Sequence, residues 1–133
     1  MKLTGLILLL SLNATVVQSA YATDHVITVG QAKKLVILAL SKEQRQLPKL
    51  GTESDDNRSR FWYFTVTWQG VPHGSVVVGS YAVDSLTGDV FSGAASCSEI
   101  NDEALRAFQL QLRSKLHLAK TDYLRLKTDG PLC

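Results

Sequence analysis

Residues 61–68 read FWYFTVTW, an unbroken run of aromatic and β-branched residues, and this stretch decides the fold class. Such side chains suit a pleated, half-buried surface, so the run reads as a strand. Alternation puts Trp62, Phe64, Val66 and Trp68 on one face and Phe61, Tyr63, Thr65 and Thr67 on the other. The first face is expected to be core. The second grows more polar along the strand, and a sheet with helices on one side leaves such a face wet and open to a protein partner. Trp68 abuts the next loop and is expected half exposed.

On the C-terminal side, Gln69 to Gly74 carries two glycines and a proline and predicts a connecting loop. Val76 to Asp84 resumes an extended pattern, with Gly79 allowing a bulge or close packing. Asp84-Ser85-Leu86-Thr87-Gly88-Asp89 then predicts a turn: Asp84 accepts from backbone N–H groups ahead of it, and Gly88 takes the left-handed conformation. Val90-Phe91-Ser92 is expected to pair back against Tyr81-Ala82-Val83.

On the N-terminal side, Thr28 and Gln31 have capping-box spacing. Ala32, Leu35, Val36 and Ala39 share a helical face, widened by Ile37, Leu38 and Leu40. The helix is expected to end between Lys42 and Gln46, because the residue before Pro48 disfavours helix. Pro48 to Ser59 turns polar and reads as a loop. After Gly93 to Ser96 a second helix is expected from near Ser98 or Asn101, burying Leu105, Phe108, Leu112 and Leu116 and turning Arg106, Gln109, Arg113 and Lys115 outward. Thr121 or Asp122 is expected to cap a short third helix that Gly130-Pro131 stops.

The start of the chain gives an address. Lys2, the apolar run Leu3 to Leu12 and Ala20-Tyr21-Ala22 have the pattern of a secretory signal peptide over residues 1–22, with cleavage after Ala22. The apolar run is too short for a comfortable membrane span, so none is expected after cleavage. Residues 23–133 then form a single domain, periplasmic or secreted. All but one of the 14 Lys and Arg follow Ala22, where 12 Asp and Glu oppose them. That near-neutral balance argues against a nucleic-acid binder that relies on phosphate neutralisation. Cys97 and Cys133 read as one disulfide in an oxidising compartment, adding roughly 3–4 kcal/mol by loop-closure arithmetic. Their separation makes no CxxC redox motif.

The chemical inventory is thin. His25, His73 and His117 share no metal-ligand spacing, and only His73, between Pro72 and Gly74, is placed to meet a partner. No G-x-S-x-G, H-E-x-x-H or G-x-x-x-x-G-K motif occurs. Asp84 and Asp89 resemble a carboxylate pair, but the turn explains their spacing. Glu53, Asp55 and Asp56 lack the glycine and closing glutamate of a calcium loop. Asn57-Arg58-Ser59 is a glycosylation acceptor only in a eukaryotic source. No catalytic residue, cofactor site or metal site is therefore assigned, and the candidate partner-binding residues are Trp68, His73, Tyr63 and Thr65. Asp84, Thr87 and Gly88 are assigned to the structural turn.

The order helix, polar loop, aromatic strand and closing hairpin, over Ile27 to Ser92, resembles two groups of exported bacterial domains. Val83, Asp84, Thr87, Gly88 and Val90 match the V-D-x-x-T-G-x-V hairpin of PepSY units, and that resemblance implies restraint of a protease or a chaperone-like role. The Trp-containing strand, glycine-bearing loop and hairpin are similar to small signal-bearing immunity proteins with a cystatin-like or nuclear-transport-factor-like helix-on-sheet fold. That resemblance implies plugging of a toxin delivered into the periplasm. The expected architecture is α+β: a curved antiparallel sheet of three to four strands on a long N-terminal helix, with a C-terminal helical segment. The expected function is an exported immunity- or inhibitor-type protein that occludes a secreted toxin or cell-wall hydrolase. A PepSY-like modulator of an extracytoplasmic protease and a small periplasmic hydrolase are the alternatives.

Overall fold

The computed structural model describes residues 26–54, 60–71, 74–93 and 97–131. Residues 1–22, read above as a signal peptide, His73 and Cys133 lie outside the described residues. The chain is α+β, with one open antiparallel sheet of five strands in the order β1-β2-β3-β4-β5. The strands are β1 (Leu50–Ser54), β2 (Phe61–Val71), β3 (Gly74–Asp84), β4 (Val90–Ser92) and β5 (Ser98–Glu99). The helices are α1 (Val29–Ala39), α2 (Lys42–Arg45), α3 (Glu103–Lys115) and α4 (Lys120–Leu126).

The capping box forms: Thr28 N–H donates to Gln31 Oε1 at 2.9 Å, and Gln31 N–H donates to Thr28 Oγ1 at 3.3 Å. α1 is shorter than expected, however, ending at Ala39 where Leu40 turns extended. Ser41 then opens a second capping box with Gln44 and starts α2. A new cap so soon competes with continuation of the first helix. The longer helix is α3, whose N-cap Asp102 accepts from the Ala104 and Leu105 N–H groups at 2.9 and 3.2 Å.

Two strands were not legible in the sequence. β1 occupies the segment expected as loop, and its register runs from Leu50↔Trp68 to Ser54↔Phe64. It is a half-exposed edge strand held by backbone pairing, so it needs no apolar alternation. β5 replaces the expected start of the second helix and pairs Ser98 with Ser92. The sheet therefore has five strands, not three to four. The β2–β3 hairpin is also longer than its loop signals implied, with Val71 paired to Gly74 and register shifts at Val66/Thr67 and Trp68/Val71.

α1 and α3 cover one face of the sheet. Ile27, Ala32, Leu35 and Val36 meet Phe64, Val66, Tyr81, Val83 and Val90 there, with Leu105 and Leu112 from α3. Trp62 packs against this cluster, and its indole N–H donates to the Ile27 C=O at 2.9 Å. The opposite face was expected bare, but the segment after α4 covers part of it. Phe91 is buried there, edge-on to Phe61 with ring centroids 6.2 Å apart. Gly130 lies so close that a Cβ on it would sit 2.8 Å from the Phe91 ring.

Candidate functional site: the open sheet face and its cleft

The two ends of the β2–β3 hairpin differ in chemistry. At the closed end, Asp84 Oδ1 accepts from the Leu86 and Thr87 N–H groups at 2.8 and 3.3 Å. Gly88 adopts φ +74, and a Cβ there would meet Ile27 Cδ1 at 3.0 Å, so the turn and the core both favour glycine. Arg60 pairs with Asp84 through Nε–Oδ1 at 3.0 Å and Nη2–Oδ2 at 2.7 Å, and also donates to the Leu126 C=O. Arg113 donates to the Thr87 C=O and to Asp89 Oδ1, both at 2.7 Å. Tyr123 and Thr87 hydroxyls complete the Asp89 shell at 3.1 and 2.8 Å. Both carboxylates are buried and matched by arginine, as buried charges must be.

These arginines correct the outward assignment of Gln109 and Arg113. Gln109 is buried and donates to the Gly88 C=O at 2.8 Å. It falls in the i, i+4, i+7 row with Leu105 and Leu112, a signal that polarity had masked. The Tyr123 hydroxyl is raised above its usual pKa, first by burial and then by the Asp89 charge. Tyr81 is raised by burial alone. Lys127 is raised mainly by its hydrogen bond to Glu99.

The open half of the second face holds a cleft of about 240 Å³. Tyr63, Thr65, Ser80 and Ala82 form its floor, while Phe91, Gly93, Cys97 and Pro131 form its wall. Tyr63 is 38% exposed. Two of the four candidate partner-binding residues, Tyr63 and Thr65, thus come together. Trp68 does not join them: alternation puts it on the helix side, where its ring lies across Gly70. Its indole N–H is sheltered and meets no acceptor among the described residues. His73 lies outside the described residues, so its placement is not part of the site.

A second groove, of about 280 Å³, lies between α1 and α3 and is lined by Gln31, Lys34, Phe108, Leu112 and Lys115. Lys34 Nζ sits 4.4 Å from the Phe108 ring centroid, so this lysine is held by a cation–π contact. Among the described residues, no group of three His, Cys, Asp or Glu side chains comes together to hold a metal ion. Nor is any described helix long and apolar enough to cross a membrane. No described cysteine is a free thiol, and Cys97 takes φ +40 in the segment entering β5.

The fold has a relative among solved structures. A chain in the structure of a type VI secretion system effector–immunity complex from Pseudomonas protegens superposes with a TM-score of 0.56 at 23% identity, covering 74% of this chain and 84% of that chain. At this identity the likeness speaks for a shared fold. No family model matches the chain, PepSY and cystatin models included. No curated protein sequence matches it either.

Proposed function

We propose that this chain is an exported immunity-type protein that binds and occludes a secreted toxin or cell-wall hydrolase. The observation that carries the reading is the shared fold with a chain of an effector–immunity complex. The open sheet face with Tyr63 and Thr65 supplies a surface of the right kind. An exposed aromatic residue beside a cleft is a common anchor for a protein partner. The conspicuous carboxylates, Asp84 and Asp89, are engaged by Arg60 and Arg113, which favours a binding role over hydrolysis. The signal-peptide pattern supports an encounter outside the cytoplasm, and the Cys97–Cys133 bridge belongs to the same proposal.

Co-expression tests it. The products of the reading frames beside this gene are each directed to the periplasm with and without the chain. Restored growth together with a co-purifying complex supports the reading; continued killing with no complex overturns it. Export is checked by N-terminal sequencing of periplasmic protein, where Thr23 is the expected first residue. Mass spectrometry of unreduced protein should show Cys97 and Cys133 in one bridged peptide pair, and two alkylated thiols would remove the staple.

A further inference from the structure

β3 spans eleven residues, but β4 accompanies only Tyr81–Val83 of it. The last bond on that side runs from the Gly93 N–H to the Ser80 C=O at 2.7 Å. Toward the hairpin tip, residues 75–79 have β2 on one side and, among the described residues, no strand on the other. A strand in that position directs alternate N–H and C=O groups away from the sheet, and another extended backbone satisfies them in series.

Native edges of this kind are commonly guarded by charge. This one is not. From Phe61 to Ala82 the chain contains no Asp, Glu, Lys or Arg. Val76 and Val77 are 48% and 61% exposed, one on each face of the strand, so an added strand finds an apolar neighbour on either side of the sheet. The irregularity opposite Val66/Thr67 limits regular pairing to a short stretch. With no charge along residues 61–82, a charged occupant gains no ion pair from this hairpin, and an uncharged one forgoes nothing.

We propose that the outer edge of β3, residues 75–79, receives an extended, uncharged segment of the partner protein as a sixth strand. The added strand continues the ladder from Ser80, where β4 leaves it, and one of its side chains enters the cleft beside Tyr63. This rests on the immunity reading for the partner's identity and deepens it by naming the mode of contact. A second copy of this chain fits the edge less well. Twofold antiparallel pairing about Val77 brings the copy's own Gly74 opposite Ser80, and glycine leaves the cleft empty.

The test is hydrogen exchange on the full chain, alone and with the toxic product that the co-expression assay identifies. Of the amides of residues 75–79, those facing away from β2 should exchange freely alone and slow by about a hundredfold in the complex, while those bonded to β2 are protected in both. Val77→Lys should weaken the complex more than about tenfold, while Val77→Ala stays within about threefold, because the edge contributes backbone bonds. Circular dichroism confirms that both variants fold. A complex that leaves residues 75–79 unprotected overturns the edge proposal and leaves the immunity reading standing. No complex overturns both. A free chain that is already dimeric, with a protected edge that Val77→Lys releases, assigns the edge to a second copy and overturns the proposal.

Discussion

The same two strands, β2 and β3, end in opposite conditions. At the closed end, the turn after Asp84 is surrounded by Arg60, Gln109, Arg113 and Tyr123, and its polar groups are matched inside the protein. At the tip, Val76 and Val77 face solvent and the outer edge of β3 has no neighbour among the described residues. One hairpin thus carries a stability end and the edge proposed for recognition. The contrast teaches that buried charge here serves the fold. The charged residues lock the fold, and the uncharged stretch is the one left unfinished.

The contrast can be broken from the closed end first. Phe91→Ala removes the ring that holds the tail through Gly130, and should cost about 3–5 kcal/mol in urea unfolding. A cost below about 1 kcal/mol would mean that the second face is no core at all. Asp89→Ala leaves the largely buried Arg113 guanidinium, 13% exposed, without its carboxylate and should cost about 3 kcal/mol. If the loss matches that of an exposed site, the clamp is not where the stability lies.

Alkaline pH should act next, and also away from the tip. Tyr81, Tyr123 and Lys127 hold their protons more tightly in the folded chain than the ordinary values of 10.0, 10.0 and 10.5. Below those values both states are protonated and the contribution is complete. As pH rises through the folded pKa values, the unfolded state sheds protons first and stability falls. The unfolding midpoint should therefore drop above about pH 10, and the Tyr81→Phe, Tyr123→Phe double variant should flatten the drop. An unchanged slope would remove the tyrosines from the account. The smallest stability effect belongs to the tip: Val77→Lys should stay within about 0.5 kcal/mol of the parent. A large loss there would show that the tip is packed, and the comparison would collapse.

Legibility in the sequence follows the range of the interactions. The capping box at Thr28, the aromatic strand and the Asp84 to Gly88 turn depend on neighbours a few residues away, and the structure places each where local chemistry puts it. β1 was unreadable because an edge strand such as LGTES is held by backbone pairing to β2, which leaves no apolar pattern. The early end of α1 depended on Ser41 outcompeting the apolar stripe, a contest between two valid local signals. Of the candidate site, Tyr63 and Thr65 were legible from alternation. Ser80, Gly93 and Pro131 were not, because they reach the cleft from other elements.

The sequence by itself determined the α+β class, the hairpin with its left-handed Gly88, and the alternation that separates Phe64 and Val66 from Tyr63 and Thr65. These are period and turn effects, written in short-range sterics and hydrogen bonding. Tertiary structure decided the rest. It turned Gln109 and Arg113 inward onto the turn, laid the C-terminal tail on Phe91, and left β3 longer than the strand beside it. The physical reason is that pairing between distant segments depends on which backbone groups and charges remain unmatched once the helices have docked. No local stretch of sequence carries that count.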